Sequence, residues 1–134
     1  MLNLLYKWRW WLWAFSTLLW TAALLLPFPE SEPWTVGESK FDLRFTFAKS
    51  LHIGAYAFLT VVAGWLCAPA RYRAWIIFFL MMHGTTTEVL QRVLEFLGRT
   101  GKLLDVAMDH LGVAIGMVLT WKLWTKKDDI EADL

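Results

Sequence analysis

The sequence has little of several things that mark common protein classes. It has one cysteine, Cys67, so no disulfide can form within the chain. Its formal net charge is only +1, from 13 basic and 12 acidic residues, so no overall field attracts a polyanion. No basic patch is interleaved with aromatic residues in a polar context. With 134 residues the chain is long enough for one domain. We therefore expect no nucleic-acid partner.

What the chain has in excess is apolar residues. They make up 57% of the sequence and are grouped into long runs. These runs are about as long as is needed to cross a hydrocarbon core of ~30 Å. The sequence therefore predicts an integral membrane protein whose main partner is the lipid bilayer. Of the ten tryptophans, four crowd one end of the first run and two close the last, which is typical of an interfacial aromatic belt. A platform for a pigment or a sugar is the alternative for these rings.

Four transmembrane helices are predicted, at about residues 11–26, 50–68, 74–97 and 103–124. Pro27 stops the first run, and Pro69 follows the second. Basic residues before the first run resemble the start of a signal peptide, but the bulky tryptophans and the lack of a small-residue cleavage site favour a retained anchor. The expected fold class is an all-α integral membrane protein, with residues 1–134 as a single transmembrane domain.

The distribution of positive charge predicts the orientation of these helices. The two termini and the loop between the second and third helices carry seven Lys and Arg residues, and the other two loops carry six. This difference favours both termini in the cytoplasm, an outer loop at residues 27–48 and a charged cytoplasmic tail at residues 125–134. The expected location is the cell inner membrane, which the chain crosses several times.

Ionisable and amide side chains occur within these spans, where a carboxylate at the bilayer midplane costs roughly 2.5–3.5 kcal/mol. In the predicted orientation they all fall in the outer half of the membrane, because the second and fourth helices begin there and the third ends there. Buried charges need partners, so we expect one shared polar pocket. The candidate ligand-binding residues, with the loop residue Arg99 at the mouth, are Lys49, His52, Tyr56, Glu88, Gln91, Arg99, Asp105 and Asp109.

Helical phase supports this grouping. The two polar residues of the third helix are three positions apart, and Asp105 and Asp109 of the fourth are four apart, so each pair shares a face. The face of the two aspartates continues through Gly112 and Gly116, a small-xxx-small pattern that lets another helix approach closely. We therefore expect this glycine track to pack helices together, against the polar face of the third helix.

Three segments are similar to the motifs of the VanZ-like family of glycopeptide-resistance-associated membrane proteins. The segment K-S-L-H-I-G-A-Y at residues 49–56 resembles D-K-x-x-H-x-x-x-Y, and E-V-L-Q at residues 88–91 resembles E-x-x-Q. The segment R-T-G-K-L-L-D-V-A-M-D-H-L-G at residues 99–112 resembles G-R-x-x-x-x-x-D-x-x-x-N-x-x-G. Ala48 replaces the first acid and Asp109 replaces the asparagine, so the resemblance is to a divergent member. It implies a small multi-helix membrane protein of the cell envelope, in a family linked to teicoplanin resistance.

Two functions are compatible with these observations. The first is an outer-leaflet pocket that binds a lipid-linked or cell-envelope ligand, with Lys49 and Arg99 as anion contacts. Acids and an imidazole in one pocket could also perform general acid–base chemistry, so whether the protein is an enzyme stays open. The second is a non-enzymatic accessory subunit of a larger membrane protein complex, in which the polar residues hold helices together.

A metal site is a further alternative. The ligand types suit a divalent cation, but none of the close spacings of known metal motifs is present, so no metal and no cofactor is predicted. His83, His110 and Cys67 are interpreted as packing or interfacial residues. The residues considered for the metal are His52, Glu88, Asp105 and Asp109.

Overall fold

The computed structural model describes residues 2–26, 43–66, 68–94 and 103–125, and every regular element within them is an α-helix. The all-α prediction is therefore confirmed for this part of the chain. The five helices are α1 (Leu2–Leu25), α2 (Leu43–Trp65), α3 (Ala70–Val93), α4 (Leu103–Leu119) and α5 (Trp121–Thr125).

The first two helices begin earlier than the sequence predicts. α1 begins at Leu2 instead of residue 11, and α2 begins at Leu43 instead of residue 50. The last six residues of the predicted outer loop at 27–48 are therefore helical, and residues 27–42 lie outside the described residues. An apolar run indicates only which residues can lie in a membrane. The helix itself can extend beyond that run where no Gly or Pro interrupts its backbone hydrogen bonds. No Gly or Pro occurs in residues 2–11 or 43–50.

The bounds of the later helices also differ. α3 begins at Ala70, directly after Pro69, and ends at Val93, while residues 95–97 of the predicted span lie outside the described residues. The predicted span 103–124 is divided at Thr120, where the chain tightens: the N–H of Leu123 donates to the carbonyl of Thr120 at 2.8 Å, three residues back. Thr125 of the predicted tail ends α5, and the rest of that tail lies outside the described part of the chain.

α2 is the central helix, because it contacts each of the other four. Its most extensive contact is with α4. The largest side chains that are completely enclosed include Tyr56, Leu59 and Thr60 of α2, Leu80 of α3 and Asp109 of α4. The core of the bundle therefore lies around α2 and mixes apolar with polar side chains.

The glycine track of α4 is what allows the close contact with α2. A Cβ at Gly112 would lie 2.5 Å from the carbonyl oxygen of Ile53, and one at Gly116 would lie 2.6 Å from Cβ of Thr60. Both glycines therefore pack helices, but against α2 and not against α3 as the sequence predicts. The sequence shows that a face is made of small residues and carries no information about which helix uses it.

The outward faces of the helices are strongly apolar. Trp11 and Leu18 of α1, Trp75 of α3 and Val118 of α4 each expose about two thirds or more of their surface. Among the residues whose burial the structure describes, nine polar or charged ones are buried, namely Arg9, Thr17, His52, Thr60, Thr87, Glu88, Gln91, Asp105 and Asp109. Buried charged side chains beneath so apolar an exterior differ from the usual pattern of a water-soluble bundle.

One helical segment in the described part of the chain, Thr46–Trp65, is long and apolar enough to cross a membrane. The core helix of a soluble protein satisfies the same criterion, so this segment alone is weak evidence for a membrane protein. Four membrane-spanning helices, with both termini in the cytoplasm, therefore stay a prediction.

Candidate functional site

Three helix ends bring the candidate residues together. Lys49 and His52 lie in the N-terminal half of α2, Glu88 lies near the C-terminal end of α3, and Asp105 and Asp109 lie in the first two turns of α4. Except for Lys49, which is slightly more exposed, all of these side chains are buried. We call these five residues the polar cluster. Arg99, predicted at its mouth, lies outside the described residues.

The first contact in the polar cluster is an ion pair between α2 and α4. The ammonium group of Lys49 donates to Oδ1 of Asp105, and the exposed fractions of the two side chains are only 14% and 8%. Charged groups so little exposed to water are retained only when each is paired. This pair therefore fixes the N-terminal end of α4 against α2.

The second contact joins three helices through one imidazole. Nδ1 of His52 lies 2.8 Å from Oδ1 of Asp109 on α4 and 3.6 Å from Oε1 of Glu88 on α3. Asp109 is completely enclosed, and its second oxygen, Oδ2, has no hydrogen-bond partner among the described residues. Gly84 makes room for this carboxylate, since a Cβ at that position would lie 3.0 Å from Cβ of Asp109.

Tyr56 belongs to a different polar group, which lies next to the cluster. Its hydroxyl lies 2.8 Å from Nδ1 of His83 and 3.3 Å from Oγ1 of Thr87, and Nε2 of His83 lies 2.8 Å from Oγ1 of Thr21. His83 on α3 thus bridges α2 and α1. We call this arrangement the His83 bridge.

Gln91 also points away from the cluster. Its amide nitrogen donates to the carbonyl of Leu24 at 2.8 Å. Leu24 lies in the last turn of α1, where carbonyl groups have no partner within the helix. Gln91 therefore caps the C-terminal end of α1, a structural role that the sequence does not predict.

The bridging role of His83 is also not predicted from the sequence, which indicates only a packing or interfacial residue at this position. A signal for it exists, because His83, Thr87 and Gln91 follow one another at intervals of four residues and so form one polar stripe. All three donate or accept hydrogen bonds toward α1 or α2. The predicted pocket instead groups Gln91 with Glu88, which is three residues away on a neighbouring face.

Three members of the polar cluster have potential metal-ligand atoms close together. One nitrogen of His52 and one carboxylate oxygen from each of Glu88 and Asp105 lie within 4.8 Å of one another, and all three residues are buried. They come from three different helices, which is why no short sequence motif indicates them. Chemically, the cluster offers one ammonium group, one imidazole and three carboxyl groups, so it can bind cations, accept hydrogen bonds or exchange protons.

Comparisons of the chain with family models, characterised proteins and solved structures find no match. The resemblance to the VanZ-like family therefore stays a prediction that depends on the three segments quoted above.

Proposed function

We propose that this protein is a multi-pass membrane protein whose polar cluster binds a lipid-linked or cell-envelope ligand in the outer leaflet. The observation that carries the proposal is the burial of charged side chains from three helices inside a bundle with an apolar exterior. Such side chains are costly in a membrane and most often mark a binding or transport site. The ligand would be polar or anionic, with Lys49 as its charged contact.

Helix length supports the membrane part of the proposal. α1 and α3 each have 24 residues, and α2 has 23, which corresponds to ~35 Å at 1.5 Å per residue. This exceeds the ~30 Å of a hydrocarbon core. α4 and α5 together cover most of the same distance. The exposed tryptophans of α1 and α5, such as Trp11 and Trp121, suit the cytoplasmic interface, where both termini would lie.

The location of the polar cluster supports an outer-leaflet site. If both termini are cytoplasmic, the start of α2, the end of α3 and the start of α4 face the outside, and these are the ends that carry the cluster. The VanZ-like resemblance covers the same residues and associates them with the cell envelope and with teicoplanin resistance. These considerations favour a bacterial inner-membrane protein that contacts envelope precursors.

The membrane and orientation claims are tested by cysteine labelling. Cys67 is the sole cysteine, so a Cys67→Ala background allows single cysteines to be introduced at Ser39 and Ala132. A membrane-impermeant maleimide applied to intact cells should label the cysteine at position 39 and leave the one at position 132 unlabelled until the cells are lysed. Recovery of the protein in the soluble fraction, or the opposite labelling pattern, would contradict the proposal.

The ligand claim is tested by lipid mass spectrometry of the protein purified in a mild detergent. We expect a phosphate- or sugar-bearing lipid to copurify with the wild type and to be depleted at least about tenfold in Lys49→Met. Lys122→Met is the matched control, since Lys122 is an exposed lysine of α5 outside the cluster. Identical lipid profiles in all three proteins would overturn the ligand claim and leave the membrane claim intact.

One observation favours the second candidate, a non-enzymatic accessory subunit. Lys49 pairs with Asp105, His52 with Asp109, and Gln91 with the carbonyl of Leu24, so the polar residues hold the helices to one another. In that case the exposed apolar faces would dock onto membrane protein partners. Purification from native membranes as part of a larger complex, without a bound lipid, would support this function. Purification as a monomer would count against it.

A further inference from the structure

We propose that the polar cluster contains a binding site for a divalent transition-metal cation, with His52, Glu88 and Asp105 as its ligands. The proposal goes beyond the lipid-linked ligand. It depends on the geometry of the three side chains and not on what else the cluster binds. Each of the three helices α2, α3 and α4 contributes one ligand to this site.

The first support is the proximity of the ligand atoms. One nitrogen of His52 and one oxygen from each of two carboxylates lie within 4.8 Å of one another in a buried site. Ligand atoms placed 2.0–2.2 Å from a zinc ion in tetrahedral geometry are roughly 3.3–3.6 Å apart. The ligand atoms would therefore have to move closer together when a zinc ion binds.

The second support is the environment of His52. A metal-binding histidine almost always donates its other ring N–H to a carboxylate, which fixes the tautomer and the orientation of the ring. Nδ1 of His52 lies 2.8 Å from Oδ1 of Asp109 and 3.6 Å from Oε1 of Glu88. A metal bound through Nε2 would leave the Nδ1–H to donate to Asp109. Asp109 is thus the positioning residue and His52 is the ligand.

The third support is the state of Asp109 itself. The side chain is completely enclosed, yet Oδ2 has no hydrogen-bond partner in the described part of the chain. A carboxylate oxygen in such a place is costly unless positive charge is close by. A dication bound at Nε2 of His52 would bring positive charge close to this carboxylate and make the imidazole a stronger donor to its other oxygen, Oδ1.

Lys49 explains how the cluster remains stable without a metal. Its ammonium group occupies Oδ1 of Asp105, one of the proposed ligands, and so acts as an internal cation that competes with the metal. Removal of this charge should therefore tighten metal binding. A simple structural role for the cluster predicts the reverse, namely a protein that is only destabilised by the loss of Lys49.

The ligand set indicates which metals to test. One imidazole nitrogen with two carboxylate oxygens suits Zn²⁺ and Mn²⁺, while Mg²⁺ prefers oxygen ligands alone. Three protein ligands leave at least one coordination position open for water or for an anionic group. The site is therefore closer in type to a catalytic or ligand-binding metal centre than to a closed structural one.

The test uses the full chain in detergent, treated with EDTA and then titrated with Zn²⁺ by calorimetry and with Mn²⁺ by electron paramagnetic resonance. We expect one equivalent to bind, with affinity reduced at least tenfold in His52→Gln and in Glu88→Gln, and roughly 10–100-fold in Asp109→Asn. His110→Gln is the control, because His110 follows Asp109 on α4 but contacts the carbonyl of Met81 instead of the cluster. It should bind as the wild type does.

The decisive variant is Lys49→Met, for which we expect metal affinity to rise severalfold while the copurified anionic lipid is lost. The two proposals therefore fail separately: unchanged lipid with tighter metal binding contradicts only the ligand claim. The metal site is overturned if the folded wild type binds no metal at a concentration of about 1 mM. Metal binding that none of the cluster substitutions weakens would also overturn the metal site. Circular dichroism of each variant shows whether its helices are retained, so that a loss of folding is not mistaken for a loss of binding.

Discussion

Gly112 of α4 lies against Ile53 of α2 so closely that a Cβ at position 112 would be 2.5 Å from the Ile53 carbonyl oxygen. Real Cβ atoms do not approach backbone oxygens to that distance, so the two helices would have to separate. Four of the five members of the polar cluster lie on the same pair of helices, and its two aspartates lie one and two turns toward the N-terminus of α4. The spacing between α2 and α4 therefore controls both the packing of the bundle and the contacts of Lys49 and His52.

Gly112→Ala should destabilise the protein by about 1–3 kcal/mol, because it forces the backbones of α2 and α4 apart. The measurement is the midpoint of thermal unfolding in detergent, followed by circular dichroism. Gly54→Ala is the matched control, since nothing lies within 4 Å of a Cβ at that position. It should be neutral or stabilising by up to about 1 kcal/mol, because alanine favours the helix. Equal effects at both positions would contradict the close packing.

Tyr56→Phe should destabilise the protein by about 1 kcal/mol, because it removes the hydroxyl that lies 2.8 Å from Nδ1 of His83. Tyr72→Phe is the control, since Tyr72 is exposed on α3. A double-mutant cycle with Thr21→Val tests the bridge itself. Because both partners bind the same ring, the two substitutions should not be additive, and strict additivity would show that His83 does not couple α1 to α2.

Gln91→Met should lower stability by about 1 kcal/mol, because the carbonyl of Leu24 at the end of α1 loses its donor while the side-chain volume is retained. Hydrogen exchange measured by mass spectrometry should show faster exchange in the last turn of α1 and little change in α4. Arg92→Met, at the neighbouring exposed position, should leave α1 unaffected. Uniform acceleration across all helices would indicate a global effect instead of a lost cap.

Arg73→Lys should weaken the contact between α3 and α5. The guanidinium group of Arg73 donates to the carbonyl of Ala68 at 2.8 Å and to that of Trp124 at 2.9 Å, and a lysine ammonium group lacks the geometry to reach both. We expect a loss of about 1 kcal/mol and increased quenching of tryptophan fluorescence by a soluble quencher. Arg71→Lys, on the exposed side of the same turn, should behave as the wild type.

The sequence predicts which helix segments carry the polar residues, because hydropathy and helical phase are local properties of the chain. It does not predict their partners. Glu88 and Gln91 are three residues apart, yet Glu88 faces His52 whereas Gln91 contacts α1. A difference of 60° around a helix axis is enough to direct two side chains to different neighbours, given ~100° per residue. Only the packing of the whole bundle decides which neighbour is there.

The sequence predicts the bounds of the helices less accurately than the positions of the polar residues. The apolar run that predicts a span at residue 50 begins after the helix does, since α2 starts at Leu43 and includes Lys49. The break at Thr120 has no Gly or Pro signal. It coincides with a hydrogen bond from the Thr120 hydroxyl to the carbonyl of Gly116 at 2.6 Å and with the approach of Trp124 to Gly64. The hydrogen bond is local to this turn, whereas the approach of Trp124 to Gly64 is a feature of tertiary packing that local sequence does not specify.

The pairing of α2 with α4 also determines when the contacts of α2 can form during synthesis of the chain. α2 leaves the ribosome long before α4, and its most extensive contact is with that later helix. Until α4 has been synthesised, Lys49 lacks Asp105 and His52 lacks Asp109. The N-terminal half of the chain therefore carries a lysine and a histidine whose acidic partners have not yet been made, and a nascent chain that stops before residue 103 cannot form either contact.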